Sequence, residues 1–393
     1  MKKIDLAHPS VVPVEHWHTL DNGLIQCDLC PRECKLHEGQ RGFCFVRGRK
    51  EDRMWLTSYG RSSGFCIDPL EKKPLNHFLP GSSVLSFGTA GCNLACKFCQ
   101  NWDMSKARDM DRLLDQAEPH ALADAAKSHG CSSVAYTYND PIIFYEYAID
   151  TAKACRERGI KNVAVTAGYI SEGPRKEFFK WMDAANIDLK AFSDRFYEKL
   201  TGAKLQPVLD TIEYVANETD CWLELTTLLI PGENDSPEEI TAMCLWIIEH
   251  CGDEVPLHFS AYHPDYRMMD NPPTPVSTLE MAREIAMQAG LKYVYTGNVF
   301  NPAGQATYCP ACGEQLIGRQ HYEITDWQLE RCDGTTDSEH KGCCKNCGCE
   351  IAGVFNEQPG HWGNRRLPVQ LGSKGLGEQN IRKAGMEEGD SAD

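Results

Sequence analysis

Three cysteines, Cys92, Cys96 and Cys99, sit on one short stretch in a C-x3-C-x2-C spacing. A four-iron cluster takes four thiolates. Three leave one iron open to a ligand that is not protein, and an open coordination position separates a catalytic metal site from a structural one. Two further thiol groups flank this one. Cys27, Cys30, Cys34 and Cys44 follow a C-x2-C-x3-C-x9-C spacing, with Gly39 and Gly42 where the backbone turns back. Four thiolates close either a zinc site or a second four-iron cluster, and the spacing does not choose between them. Cys309 with Cys312, and Cys344 with Cys347, form two Cys-x-x-Cys-Gly knuckles. Two such knuckles make one tetrahedral site, most simply zinc in a ribbon, with a rubredoxin-like iron as the alternative. Cys332, Cys343 and Cys349 are surplus and leave that ligand set open by one residue. Cys66 stands alone and reads as a small core residue.

The bulk of the chain narrows the class. Its 393 residues with 42% apolar content suffice for one large core plus small appendages. A formal charge of -16 is the wrong sign for nucleic-acid binding, which needs a basic footprint. No apolar run approaches a membrane span, and the first nine residues carry no apolar signal-peptide core. The expectation is a cytoplasmic protein. In that reducing compartment, 20 cysteines clustered in Cys-x-x-Cys pairs point to metal rather than disulfides. The oxygen sensitivity of an exposed cluster favours an anaerobic host.

The elements that must position these thiols follow from periodicity. Residues 84–88 read as a buried strand, so the Cys92–Cys99 loop leaves a strand end. Strands are expected at 133–138, 162–166, 186–190, 221–230, 257–262 and 293–295. Helices at 142–158, 174–184, one capped by Ser236 with Glu239 in a capping box, and 278–290 alternate with them. This alternation implies a parallel sheet. About six units are too few to close an eight-fold barrel. The expected fold is therefore α/β, a partial (β/α)6 barrel with its chemistry at the C-terminal strand ends. The chain divides into a Cys-rich metal-binding module (1–75), this core (76–305), a zinc-ribbon-like module (306–356) and a disordered tail (357–393).

Polar residues gather at those strand ends. Asn139 and Asp140 follow the second strand, where Asp140 can also cap the Pro-started helix. Thr166 and Gly168 follow the third. Asp188 and Lys190, two apart on a strand, project to one side, and charges in a barrel interior need a reason. A mutual ion pair is the bland one. His263 ends the sixth strand and is a further candidate, although a lone histidine is more often structural.

The C-x3-C-x2-C motif with Phe98 before the third cysteine resembles the radical S-adenosylmethionine (SAM) superfamily. Gln100-Asn101-Trp102 is similar to the branch that includes pyruvate formate-lyase activating enzymes. The resemblance implies a [4Fe-4S] cluster whose fourth iron is chelated by SAM. Reductive cleavage of SAM then gives methionine and a 5′-deoxyadenosyl radical that takes a hydrogen atom from the substrate. Thr137-Tyr138-Asn139-Asp140-Pro141 resembles a family segment whose glutamate helps bind the SAM amino group. Asp140 is shorter by about 1.5 Å. The resemblance assigns Lys190 to the SAM carboxylate, Asp188 to the ribose neighbourhood and the stretch 226–235 to support of the adenine. It makes Phe98, Asn139, Thr166, Gly168 and His263 further cofactor-binding candidates.

The order of motifs over residues 25–356 resembles AmmeMemoRadiSam system radical SAM enzymes. Ammecr-type and Memo-type proteins are then implied partners, with an electron donor such as a flavodoxin or ferredoxin. Two further functions are weighed, a glycyl-radical enzyme activase and a non-catalytic iron–sulfur carrier. The open iron argues against the carrier.

Overall fold

Between residues 65 and 369 the chain builds one nine-stranded sheet. The structure is a computed structural model that describes residues 4–106, 115–332 and 341–371. The strands are β1 (Phe65–Pro69), β2 (Ser83–Phe87), β3 (Ser133–Tyr136), β4 (Lys161–Thr166), β5 (Ala184–Asp188), β6 (Trp222–Leu229), β7 (Leu257–Ala261), β8 (Val294–Gly297) and β9 (Leu367–Val369). Their order in space is β8-β7-β6-β5-β4-β3-β2-β1-β9. Strands β2 to β8 pair in parallel, each beside its neighbour in sequence. Six connections join them, carrying α1 (Pro119–Ser128), α2 (Tyr145–Arg156), α3 (Glu172–Lys180), α4 (Gln206–Glu218), α5 (Pro237–Cys251) and α6 (Val276–Ala289). A singly wound parallel sheet with right-handed crossovers carries its helices on one face and its loops at one end. The sheet stays open: β8 and β9 are its outer strands.

Boundaries shift where local chemistry overrides periodicity. The helix expected at 142–158 opens as a 3-10 turn, Pro141–Phe144, because Asp140 accepts from the Ile142 amide and Pro141 occupies the first position. The strand expected at 186–190 begins at Ala184, where two alanines with weak strand propensity hide its start.

The tail corrects a sequence expectation. Residues expected to be disordered beyond 356 include β9, which pairs antiparallel with β1, Leu367 opposite Ile67 and Val369 opposite Phe65. Main-chain pairing on an edge needs little apolar content, and Pro368 is tolerated there. Residues 372–393 lie outside the described residues. Strand β1 likewise belongs to the large sheet, although it falls within the first 75 residues.

Small antiparallel sheets carry the other cysteines. Trp17–Thr19, Ile25–Cys27 and Lys35–Leu36 form one near the N-terminus. Its Cys27 and Cys44 share a core with Leu94, Cys96 and Phe98 of the motif loop. Toward the C-terminus, Leu316, Ile317, Leu329, Ile351 and Phe355 pack around Cys309 and Cys344 in a separate core, which reaches the large sheet through Tyr295. Cys332 and Cys343 are joined in a disulfide. This corrects the expectation that the cysteines avoid disulfides: the antiparallel return of Gly342–Cys344 along Leu329–Arg331 sets the two thiols side by side.

Candidate active site

The loop after β2 is held largely by its main chain, with its thiols turned to a shared cavity. The Ala95 and Lys97 amides donate to the carbonyls of Thr201 and Leu200 at 2.8 and 2.9 Å. Lys106 Nζ and Arg32 Nε donate to the carbonyls of Leu94 and Asn93 at 2.8 and 2.7 Å. Asn93 Nδ2 reaches the Tyr169 carbonyl at 2.9 Å. Anchors on the β5–β6 connection, the β4 end and the N-terminal region therefore fix one short loop from several sides. Fixed supports of this kind set the geometry of a metal centre before the metal arrives. Gly91 has φ +87°, and a Cβ there would lie 2.0 Å from the Cys44 carbonyl oxygen, so the loop and the N-terminal region meet backbone to backbone.

Cys92, Cys96 and Cys99 all line a cavity of about 510 Å³. It is walled by residues from the ends of all seven parallel strands, among them Asp140, Thr166, Asp188, Thr226, Ser260 and Asn298. Burial pushes the Cys96 thiol up to about 12, against the pull of the Lys190 charge. The thiol stays neutral at ordinary pH unless a metal takes its proton's place. Cys99 Sγ lies 3.1 Å from Ser105 Oγ.

The strand-end residues divide by what they touch. Lys190 Nζ is 2.8 Å from Asp188 Oδ2, so the ion pair read from their spacing forms. Burial opposes the lysine charge most, but Asp188 together with Cys96 and Tyr197 holds the Lys190 pKa above its usual value. Asp140 serves as the cap, and its carboxylate also accepts from Thr166 Oγ1 at 3.0 Å and the Ala167 amide at 3.1 Å. Burial raises its pKa to about 6, against these bonds and Lys190. Asn139 ties the end of β3 to the motif loop, donating to the Gly91 carbonyl at 2.8 Å and accepting from the Thr89 amide at 3.1 Å. Phe98 is buried against Phe196 and lines the cavity. Thr226 Oγ1 is buried on the cavity wall with no partner among the described residues.

Two candidates fall elsewhere. Gly168 is not among the cavity-lining residues; its φ of +65° makes the turn, and a Cβ would lie 2.9 Å from Ile187 Cγ2. His263 is exposed and does not line the cavity, because β7 ends at Ala261 and the chain has already turned outward.

Sequence reasoning missed one side of the cavity. Lys72 and Lys73 line it and flank fully buried Asp68 at 2.9 and 2.7 Å; Tyr138 donates to the same carboxylate at 2.9 Å. Burial lowers the Lys73 pKa to about 8, against the Asp68 charge. Tyr322 and Arg366 complete this side. The adjacent lysines before Pro74 were the available signal, but nothing local showed that β1 would carry them to the strand ends.

The family model for the radical SAM superfamily matches residues 87–244, from the end of β2 into α5. An uncharacterized protein of Methanocaldococcus jannaschii is 40% identical over 335 residues, 85% of this chain and 97% of its own. The chain belongs to the radical SAM superfamily. The pyruvate formate-lyase-activating enzyme of Clostridium pasteurianum is 28% identical across 41% of this chain and 67% of its own length. The 4-hydroxyphenylacetate decarboxylase activating enzyme of Clostridium scatologenes is 30% identical across 44% and 66%. This radical SAM protein is thus an enzyme of the class that uses a [4Fe-4S] cluster and SAM. The donor set fits both: three thiols on a fixed loop, and an unpartnered hydroxyl and a lysine on the wall of the cavity they share.

Four cysteines near the C-terminus form a second cluster. Cys309, Cys312, Cys344 and Cys347 bring their sulfurs within 4.8 Å of one another. Sγ distances of 3.6 Å (Cys309 to Cys347) and 3.7 Å (Cys312 to Cys344) are close to the roughly 3.8 Å of a tetrahedron with Zn–S near 2.3 Å. Cys349 is not one of the four; it lies beside Cys309 and donates to the Glu350 carbonyl.

Proposed function

We propose that Cys92, Cys96 and Cys99 are the protein ligands of the catalytic cluster, and that the strand-end cavity holds SAM against it. The observation that carries this reading is the convergence of the three thiols, Lys190 and the unpartnered Thr226 hydroxyl on one cavity. When bound, the cluster and SAM supply an adenosyl radical that takes hydrogen from the substrate. Lys190, held by Asp188, binds the SAM carboxylate. Asp140 already meets three protein donors, so it acts on the SAM amino group mainly through its charge. Thr226 and the β6 end support the adenosine. Phe98 and Leu94 exclude water beside the thiols.

The chain is read further as an AmmeMemoRadiSam system enzyme, working in the cytoplasm with Ammecr-type and Memo-type proteins and drawing electrons from a flavodoxin or ferredoxin. Zinc in the ribbon is structural, since four thiolates leave no open position. The N-terminal cysteines form a further metal site, in the region of residues 1–75 that packs against the core. Activating-enzyme relatives favour a protein substrate as the second reading within the same chemistry. The test is anaerobic incubation of the reconstituted enzyme with SAM, dithionite and each candidate partner, following deuterium from labelled partner into 5′-deoxyadenosine. Label transfer identifies the substrate; unlabelled nucleoside with every partner rejects the partner assignment.

A further inference from the structure

We infer that Cys27, Cys30, Cys34 and Cys44 hold a second iron–sulfur cluster rather than zinc, set directly behind the Cys92–Cys99 loop. Sulfur spacing is the first ground. Among the described residues, the ribbon thiols are the one group of three or more ligands gathered within 4.8 Å. No three of the N-terminal four gather so closely, and neither do Cys92, Cys96 and Cys99. A single zinc ion draws four sulfurs to about 3.8 Å of one another. A four-iron cube gives each thiolate its own iron and spreads them. The wider spacing of the N-terminal set therefore matches the core motif and not the ribbon.

The surroundings are the second ground. All four thiols line one cavity, closed by apolar Leu29, Met54, Ile142 and Ile143. Two arginines line it as well. Arg47 is 1% exposed; it holds Glu146 at 2.6 and 2.9 Å and the Glu15 carbonyl at 3.2 Å, yet its Nε has no partner among the described residues. Arg32 Nη2 is also buried without one. A buried cationic N–H left unpaired is costly. Anionic cluster sulfurs would accept from it, and such hydrogen bonds tune cluster potentials.

Position gives the site a role, which rests on the core motif holding the catalytic cluster as proposed above. Asn93 lines the N-terminal cavity while its neighbour Cys92 lines the active one. Arg32 bonds the Asn93 carbonyl, and the Cys44 carbonyl abuts Gly91. Held there by Cys27, Cys30, Cys34 and Cys44, a cluster would take one electron from a flavin or iron–sulfur donor protein and would hand it on across the Arg32–Asn93 and Cys44–Gly91 contacts to a cluster on the core thiols, with no proton or bond change.

The test uses the full chain, reconstituted anaerobically with iron and sulfide, and counts iron, sulfide and zinc. Two four-iron clusters, one on four thiolates and one on three, predict about eight iron per chain in the wild type. Cys92→Ala/Cys96→Ala/Cys99→Ala and Cys30→Ser/Cys34→Ser should each retain about four, with ribbon zinc as the check on folding. On reduction, the wild-type electron paramagnetic resonance signal should be broadened by coupling between two neighbouring spins, and each variant should narrow it. About four iron and two zinc in the wild type would overturn the inference, whether or not any variant folds. If the core assignment fails instead, iron remains in the triple variant and vanishes from the Cys30/Cys34 variant.

Discussion

Lys190 shows how single residues set the terms of binding. Its ammonium is buried, and Asp188 at 2.8 Å keeps it charged. Lys190→Met removes the charge at similar volume. It should leave the cluster spectrum intact and weaken SAM binding by about 2–5 kcal/mol, as for other desolvated charge pairs; anaerobic calorimetry reads this directly. Unchanged affinity would reduce Lys190 to a structural partner of Asp188. Glu71 offers a pH test away from the thiols. Burial raises its carboxyl to about 7, against the Arg319 charge, and its Oε2 has no partner among the described residues. A carboxyl raised in the folded state favours folding below its unfolded pKa, and that contribution fades as pH climbs from about 4.5 through 7. Glu71→Gln should flatten this part of the stability-against-pH curve, measured by urea unfolding; an unaltered slope would show that Glu71 is not its source. At this scale the sequence revealed residue types better than contacts. The Asp188–Lys190 pair was legible because two residues on one strand share a side. That Asn139 would be consumed in bracing Gly91 was not, because the bond spans 48 positions.

The motif loop is the element on which the site depends, and one of the supports that shape it is the N-terminal region. Gly91→Ala would force a Cβ into the Cys44 carbonyl at a φ that suits glycine. We expect a loss of more than about 2 kcal/mol in stability, within the range for strain at such positions, with iron binding reduced at the same time. Wild-type iron content in a stable Gly91→Ala protein would show that the two regions do not depend on that contact. Strands and helices of the core were readable from alternation because each strand is buried and each helix amphipathic. Strand β9 was not, because an edge strand draws on main-chain hydrogen bonds rather than on an apolar pattern. The exposure of His263 was hidden for a related reason: β7 ends at Ala261, two residues before it.

At the scale of the molecule, one open sheet places seven strand ends around one cavity, and two cysteine-rich regions attach to it. The parallel pairing of the core strands followed from the repeating strand–helix order. Distant closures, such as the Lys72–Lys73 side brought in by β1 and the Cys332–Cys343 bridge, depend on tertiary approach that no local pattern encodes. Chelation of ribbon metal should lower the melting temperature of the full chain, as closed zinc sites contribute directly to folding. Among the described residues no helix is long and apolar enough to cross a membrane. The most direct test of the central claim compares the wild type with Cys96→Ala, both anaerobically reconstituted and given SAM with dithionite. The account predicts 5′-deoxyadenosine and methionine from the wild type and neither from the variant, with ribbon zinc retained in both. Equal nucleoside from the variant, or none from iron-loaded wild type, would contradict it.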